Sequence, residues 1–339
     1  MKDLLFALCQ AEGASGAEFL AGEVAKKELQ KYARVQRDAC GNIIARMGKK
    51  GARPHIMLDA HIDQIGLIVT DIDSNGFLRV AACGGIDRRV LAGNTVRVLA
   101  KQTLMGIICC QPPHLSGGKS EALKSDEIFV DVGLSEEAAR KIVALGDRVQ
   151  FLSSPAELQN GRVAAQALDN RAGVAALIRC AEILHTADLD VEVTILLSVQ
   201  EETGALGAGV GAFSVAPDEA ISVDVSFAAQ PGVPGHKCGK LAHGPMIGMA
   251  PTLSKKVTDT LIALAKRENI EYQLEIMSGT TGTNADKISV SKAGVSTGLV
   301  SIPQRYMHTP VEVVCLDDIE KVATLLAMYV KNGGSRDVR

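Results

Sequence analysis

Short apolar runs that each lead into an acid or a histidine are the feature that most constrains the fold of this chain. HIMLDA precedes His61, VTILLSVQ precedes Glu201 and Glu202, AISV precedes Asp224, and GLVSIP comes a few residues before His308. Runs of this length and composition favour buried strands of an α/β sheet. Because ligands in such sheets bind beyond the carboxyl ends of the strands, we expect these distant side chains to converge.

The predicted pattern of helices and strands changes twice along the chain. Helical periodicity is predicted over 2–11 and 16–33, and strands follow. Short β-type runs separated by Gly, Asp and Asn turns then fill 68–161, before alternation of strands and helices returns. We therefore predict a discontinuous α/β domain formed by 1–67 and 162–339, interrupted by a small β-rich domain over 68–161.

Composition excludes several classes of protein. The 339 residues are 47% hydrophobic and carry a net charge of −3, with both signs interspersed, which argues against a nucleic-acid partner. No apolar run is long enough to span a bilayer, and the start of the chain is too briefly apolar for a secretory signal. The eight cysteines show no CxxC spacing, which favours reduced thiols over a zinc-thiolate site. We expect a cytoplasmic protein without a membrane partner.

The acids and histidines at the strand ends form a set of ligands suited to a pair of divalent cations. Such a pair needs a bridging carboxylate and further N or O ligands on each side, and the candidates are His61, Asp169, Glu202, Asp224 and His308. Asp169 is predicted to begin a helix, whose dipole and fixed backbone suit a bridging ligand. Three carboxylates against two divalent ions leave a net charge of about +1, which favours bound hydroxide as a nucleophile.

The neighbouring acids Glu201 and Glu202 leave the backbone in different directions, so both can hardly bind one metal in the same way. We assign Glu202 to the metal and Glu201 to the general base and acid of a hydrolysis. Asp63 lies two residues from His61 on an extended segment and hence on the same face. Its expected role is to orient the imidazole through the other ring nitrogen.

Each of these residues also has a simpler interpretation. A single histidine at a strand end is usually solvated or hydrogen-bonded, and a Glu pair is usually on the surface. Asp169 could be no more than a helix cap, and Asp224 could begin a turn. The joint placement of all five at element boundaries favours a metal site. The simpler interpretation is kept for the other histidines, which are His55, His114, His185, His236 and His243.

Five motifs in order resemble a known family. DAHIDQIG, ALDNRAG, SVQEETGALGA, SVDV and SIPQRYMHTPVEVV are similar to the M42 family of dinuclear aminopeptidases, the TET or glutamyl aminopeptidase group, some members of which are labelled cellulase M. The resemblance covers essentially the whole chain. It implies a zinc-peptidase-like catalytic domain, with a mixed sheet between helices, and an inserted PDZ-like β domain.

The resemblance also implies roles for individual residues and an assembly. One metal would be held by His61, Asp169 and Asp224. The other would be held by Asp169, Glu202 and His308, with Glu201 as the catalytic carboxylate and Asp63 supporting His61. The family implies two zinc or cobalt ions per subunit, and dimers that assemble into hollow tetrahedral dodecamers.

The chain departs from the family pattern near the expected ligands. Gln64 stands where the family commonly has Glu. In the segment from Thr203 to Leu206, the family pattern has a different pair of residues around the glycine. Asn284 replaces a usual Asp in a loop expected near the substrate. These positions leave the ligand set intact and bear on specificity, and the preferred N-terminal residue stays open.

The function expected from these observations is removal of N-terminal residues from short peptides by metal-bound hydroxide. Another dinuclear amide hydrolase, such as a deacylase or a carboxypeptidase, uses the same chemistry and remains an alternative. A glycoside hydrolase is disfavoured, since its carboxylates must flank a bond across roughly 5 to 9 Å. Sugar clefts also favour aromatic side chains, and this chain has no Trp.

Overall fold

Helices and strands alternate in the second half of the chain, whereas strands dominate the segment before it. A computed structural model describes residues 1–112, 114–115, 122, 124 and 127–336. The α-helices are α1 (Lys2–Gln10), α2 (Phe19–Leu29), α3 (Glu136–Ile142), α4 (Leu168–Leu184), α5 (Leu206–Val215), α6 (Lys255–Arg267), α7 (Ala285–Ser289) and α8 (Leu316–Lys331). Within these described ranges, none of the helices combines the length and apolar character needed to cross a membrane.

Among the described residues, the strands form three separate sheets. They are β1 (Arg34–Arg37), β2 (Ile43–Gly48), β3 (His55–His61), β4 (Gly66–Ile72), β5 (Leu78–Cys83), β6 (Thr95–Leu99), β7 (Thr103–Ile108), β8 (Phe129–Asp131), β9 (Arg148–Phe151), β10 (Ala156–Glu157), β11 (Arg162–Ala165), β12 (Glu192–Ser198), β13 (Glu219–Phe227), β14 (Met246–Met249), β15 (Gln273–Ile276), β16 (Ser296–Gln304) and β17 (Glu312–Cys315). The large sheet has the order β1-β2-β12-β3-β13-β16-β14-β15.

The centre of the large sheet is parallel and its flanks are mixed. β12, β3, β13 and β16 pair in parallel, whereas β2 and β14 join this centre antiparallel. The central strands are continuous apolar runs because helices cover both faces of the sheet. Their carboxyl ends therefore meet at one edge, which is where the sequence places its acids and histidines.

Alternate residues of the strands pack on opposite faces of the sheet. Ile56 and Leu58 belong to the main core with residues of α1, α2, α4, α6 and α8, whereas Met57 packs on the other face with residues of α5 and α7. The sheet thus lies between two helical layers. The expected α/β class, with a mixed sheet sandwiched by helices, is confirmed.

A closed barrel of six strands follows β3 in the chain. Its order is β4-β5-β8-β7-β6-β9, and apolar side chains such as Leu67, Val80 and Val98 fill a core of its own. Closure removes exposed strand edges. The predicted division at 67/68 and 161/162 stays a prediction, although β4 and this separate core already include Leu67, which lies just before the first predicted boundary.

The second helix begins later than its periodicity predicts. Gly16 has a φ of +83° and its N–H donates to Glu18 Oε1 at 2.7 Å, so a turn precedes α2. The helix then starts at Phe19. Glu18 Oε1 also accepts from the N–H of Gln200 at 3.2 Å, which ties this turn to the segment that carries Glu201.

Candidate metal centre and active site

The predicted site residues lie at the shared edge of the central strands. His61 ends β3, and its Cα pairs with that of Ser198, the last residue of β12. Glu201, three residues after Ser198, therefore lies at the same edge of the sheet as His61. Asp224 lies inside β13 with its Cα opposite Ser301 of β16. Asp224 therefore does not begin a turn.

Two histidines approach the two oxygens of one carboxylate. His61 Nε2 lies 3.1 Å from Asp169 Oδ1 and 3.6 Å from Asp224 Oδ1. His308 Nε2 lies 3.3 Å from Asp169 Oδ2 and 3.6 Å from Glu202 Oε2. In each of the two groups, the candidate ligand atoms lie within 4.8 Å of one another. The structure thus brings together all five predicted ligands, with Asp169 shared.

These five side chains and Glu201 line one cavity of about 810 Å³. His61, Asp169 and Asp224 are buried, and His308 is the most accessible of the five. Partial enclosure strengthens electrostatic interactions at the site, since little water screens them. The cavity is large enough to admit a small substrate to the carboxylates.

The local backbone at Asp169 differs from the expected helix start. Asp169 and Asn170 have non-helical φ and ψ, so regular helix begins at Arg171. Asn170 caps this helix by accepting from the N–H of Gly173 at 3.0 Å, and its amide donates to the carbonyl of Val223 at 2.7 Å. The interpretation of Asp169 as a cap is therefore wrong, and its carboxylate is free for the site.

Asp63 holds the turn that carries the two glutamates. Its carboxylate accepts from the N–H groups of Glu201 at 2.9 Å and Glu202 at 3.1 Å. The same carboxylate lies 3.4 Å from His61 Nδ1, which also approaches the Asp63 carbonyl at 3.1 Å. Asp63 is fully buried and so joins the ends of β3 and β12.

Glu312 is a site residue that sequence reasoning missed. Its two carboxylate oxygens accept from the N–H groups of Asp169 and His308, each at 3.0 Å. Glu312 lies on β17 and is buried, and burial raises its pKa well above the ordinary value, with Asp169 adding to the effect. The motif HTPVE, with a glutamate four residues after His308, was the available signal.

Three residues at or just before the candidate site residues have a left-handed backbone conformation. Ala167, Gln200 and His308 have φ values of 58°, 58° and 62°. Such a φ is uncommon for residues other than glycine and costs free energy, so it persists only where surrounding contacts fix it. At His308 the contacts include its N–H, which donates to Glu312, and its carbonyl, which accepts from the N–H of Asp87 at 3.4 Å, between β5 and β6 of the barrel.

Crowded carboxylates dominate the electrostatics of the site. Burial raises the pKa of Glu201 to about 8, and the carboxylates of Asp224 and Asp169 add to this against the opposing effect of His61. Burial likewise raises the pKa of Glu202, with Asp169 as the next cause. Burial opposes ionisation of Asp169 too, but hydrogen bonds with His308 and His61 outweigh it and hold that pKa below its ordinary value.

The residues fit divalent cations. Glu202 Oε1 is buried without a hydrogen-bond partner, and the neighbouring acids disfavour each other's negative charge. Cations placed between the carboxylates would offset both costs. Imidazole nitrogens with carboxylate oxygens form a donor set that suits zinc and neighbouring transition metals.

The three departures from the family pattern lie around the ligands. Asn284 is buried, and its amide donates to Asp59 Oδ2 and to Ser198 Oγ, each at 2.8 Å. Its own side chain therefore contacts β3 and β12, whereas the residues just before it, 279–283, line the cavity. Gln64 pairs through its backbone with 13–15, and Thr203 Oγ1 lies 3.1 Å from Ser15 Oγ.

Comparison with known proteins agrees with this geometry. The model of the M42 glutamyl aminopeptidase family matches residues 41–325. The lysyl aminopeptidase of Pyrococcus furiosus is 34% identical over 95% of this chain and 94% of that protein. The aminopeptidase APDkam598 of the archaeon Desulfurococcus kamchatkensis has a structure with a TM-score of 0.91 and 33% identity, covering 98% of this chain and 95% of that chain.

A second solved structure adds an assembly. The TET1 peptidase of Pyrococcus horikoshii, which can assemble into a tetrahedron or a large octahedral shell, has a TM-score of 0.86 and 32% identity, covering 97% of this chain and 98% of that chain. The matched family model spans most of the chain, and the motifs that suggested the family contain the residues that converge at the site. This chain belongs to the M42 family of aminopeptidases.

Proposed function

We propose that this aminopeptidase works with two divalent ions per subunit and removes N-terminal residues from short peptides. The observation that supports this most is the sharing of Asp169 between two groups of ligand atoms. One group is completed by His61 and Asp224, the other by Glu202 and His308. A carboxylate with each oxygen facing a different histidine suits two closely spaced ions better than one.

Divalent ions held there would polarise the scissile carbonyl and acidify a water enough for it to attack. The ligands are nitrogen and oxygen atoms, so we propose zinc or cobalt without choosing between them. The ions would also favour the ionised form of the neighbouring carboxylates, because opposite charges nearby lower a carboxyl pKa. Metal removal is therefore expected to abolish turnover.

Glu201 is the residue proposed to move the proton. It lines the cavity beside the ligands, where an ionised carboxylate can take a proton from the attacking water and pass it to the leaving amine. Asp63 is proposed as a positioning residue, because its carboxylate fixes the N–H groups of Glu201 and Glu202. Glu201 and Glu202 are among the described residues that line the cavity, whereas Asp63 is not.

The experiment that tests the function compares matched substrates on metal-loaded protein. Aminoacyl anilides with a free α-amine should be hydrolysed, whereas the same compounds with an N-acetyl group should be cleaved at least about a hundredfold more slowly, since the site would lose a group that it binds. Faster cleavage of the acetylated forms would favour a deacylase. Release of C-terminal residues from a tripeptide would favour a carboxypeptidase.

The Glu312 contacts lead to a prediction about metal affinity. Glu312→Gln should weaken binding by about 10- to 100-fold, because an amide offers only one acceptor oxygen to the two N–H groups of Asp169 and His308. Competition with a fluorescent chelator measures the affinity. Glu320→Gln is the matched control, since Glu320 pairs with Arg179 at the surface. Equal affinities for the two variants would contradict the role given to Glu312.

We further propose that the chain self-associates, as dimers that build a tetrahedral dodecamer, and that it acts in the cytoplasm. An apolar surface on α5 and beside α7 supports self-association. This α5 surface consists of Leu206, Val210, Phe213 and Val290, each more than two-fifths exposed. Apolar patches of this kind, which water would otherwise solvate, are typical of protein–protein contacts. All eight cysteines are unpaired, as in a reducing compartment.

The α5 surface gives a direct test of assembly. Val210→Asp combined with Phe213→Asp should shift the protein to smaller species, because a charge buried in an apolar contact costs several kcal/mol, about 3 or more. Sedimentation velocity measures the masses. Ser214→Asp is the control, since it adds a charge at an exposed polar position of the same helix. Unchanged mass in the double variant would exclude this surface as the contact.

A further inference from the structure

A carboxylate in the cavity takes no part in the metal site. Glu275 lies on the edge strand β15 and lines the same cavity as Asp169 and Asp224. Its side chain accepts hydrogen bonds from Ser226 Oγ and, at 2.7 Å, from Ser301 Oγ. Both serines are buried. The carboxylate is therefore held in place inside the cavity by two fixed donors.

The sheet register places Glu275 beside the ligands. Ser226 follows Asp224 by two residues on β13 and so shares its face of the sheet. Ser301 lies on β16 with its Cα opposite that of Asp224. Because both donors to Glu275 neighbour Asp224 in the sheet, the Glu275 carboxylate lies next to the metal site but outside the ligand groups.

No cation within the described ranges offsets the charge of Glu275. Burial raises its pKa, with Asp224 contributing, and the hydrogen bonds from the two serines oppose this rise. None of the ion pairs formed by described residues includes Glu275. A buried carboxylate without a cationic partner is costly unless it serves to bind one. This makes Glu275 a candidate for ligand recognition.

Apolar side chains form part of the wall of the cavity that contains Glu275. Phe227, Met246, Leu299 and Met307 contribute to its lining. Such walls suit a long aliphatic chain, and the carboxylate suits a positive charge at the end of that chain. Lysine and arginine are the amino-acid side chains with both features. A shorter apolar side chain would leave the carboxylate desolvated and unpaired.

We propose that Glu275 binds the cationic head of an N-terminal lysine or arginine side chain, so that this aminopeptidase prefers peptides with basic N-terminal residues. The proposal rests on the proposed function, because it needs the scissile bond to lie at the metal site. Glu275 is thereby a specificity-determining residue. Lys237 also lines the cavity, but on an exposed turn, where solvent screens its charge more than that of the enclosed carboxylate.

Glu275 could instead bind the α-amine that every substrate carries. The two roles differ in how a substitution affects different substrates. Loss of an α-amine contact slows all substrates alike, whereas loss of a side-chain contact slows only those with a cationic side chain. Norleucine is the matched reference, because its side chain has nearly the length of lysine without the charge.

The test measures kcat/KM on lysyl, arginyl and norleucyl anilides. The native protein should favour lysyl over norleucyl substrate by about 10- to 100-fold, the range expected for a hydrogen-bonded charge pair. Glu275→Gln should remove most of that preference, chiefly by raising KM for the lysyl and arginyl substrates more than for the norleucyl substrate. On an additional glutamyl anilide, Glu275→Lys should raise the rate relative to that on the lysyl anilide.

Two controls separate this role from a structural one. Glu271→Gln changes an exposed carboxylate on the same segment, which pairs with His243 and Lys321, and should leave the preference unchanged. Metal content and thermal unfolding should be the same in both variants. An equal loss on all three substrates in Glu275→Gln, or a native protein without basic preference, would overturn the proposal.

Binding without turnover distinguishes failure of this proposal from failure of the proposed function. Calorimetry with free lysine and free norleucine measures the side-chain contact directly. Tighter binding of lysine, lost in Glu275→Gln, supports the role of Glu275 even where an anilide is not cleaved. Equal binding of the two amino acids contradicts it, whether or not the metal-loaded protein hydrolyses free-amine substrates.

Discussion

Replacement of Glu201 by glutamine should lower kcat by about two to four orders of magnitude while two ions stay bound. The amide keeps the size of the side chain and cannot accept the proton of the attacking water. Glu201 belongs to neither group of candidate ligand atoms, so metal content should be unaffected. Its N–H still donates to Asp63, which keeps the turn in place.

The measurement pairs steady-state kinetics with metal analysis of the same sample. Glu201→Asp is a useful comparison, since it retains a base at a shorter reach and should lose less activity than the amide. Near-normal turnover of Glu201→Gln with both metals present would show that another group moves the proton. Loss of metal along with activity would instead place Glu201 among the ligands.

Replacement of Asp169 by asparagine should remove both ions and reduce kcat/KM by about a thousandfold or more. An amide offers one oxygen and one N–H₂ group, so it cannot present an acceptor to each of the two histidine-containing groups. The change is isosteric, and the cap that Asn170 gives to α4 remains. A large effect would therefore arise at the site rather than from loss of the helix.

Asp224→Asn gives the graded comparison for this prediction. Asp224 belongs only to the group with His61 and Asp169. Its replacement should therefore weaken the binding of one ion and leave the other ion bound. Metal titration followed by mass spectrometry of the intact subunit counts the ions. If Asp169→Asn lost only one ion, the shared role of this carboxylate would be wrong.

The sequence predicted most of the architecture because its pattern is local. Apolar runs such as HIMLDA have the length of strands, and RAGVAALIRCAEIL has the length of a helix. The convergence of His61, Asp224 and Glu202 follows from a general property of parallel strands, whose carboxyl ends share one edge. The exact start of a helix did not follow, since at α2 and α4 it depends on turns held by Glu18 and Asn170.

The contacts that hold the site could not be read from the sequence for a physical reason. Glu312 accepts hydrogen bonds from the backbone N–H groups of Asp169 and His308. The spacing in HTPVE places Glu312 near His308, but nothing in the sequence indicates its contact with Asp169, which is 143 residues away. The left-handed backbone at Gln200 and His308 is likewise set by tertiary contacts. Glu275 appears in sequence as one charge on a short strand, and only the register of β13 and β16 brings it beside Asp224.

The measurement that tests the central claim most directly is anomalous diffraction from crystals of the metal-loaded protein, collected at the absorption edge of zinc or cobalt. We expect two peaks per subunit on either side of the Asp169 carboxylate, one beside His61 and Asp224 and the other beside Glu202 and His308. A single peak, or peaks away from Asp169, would contradict the two-ion mechanism.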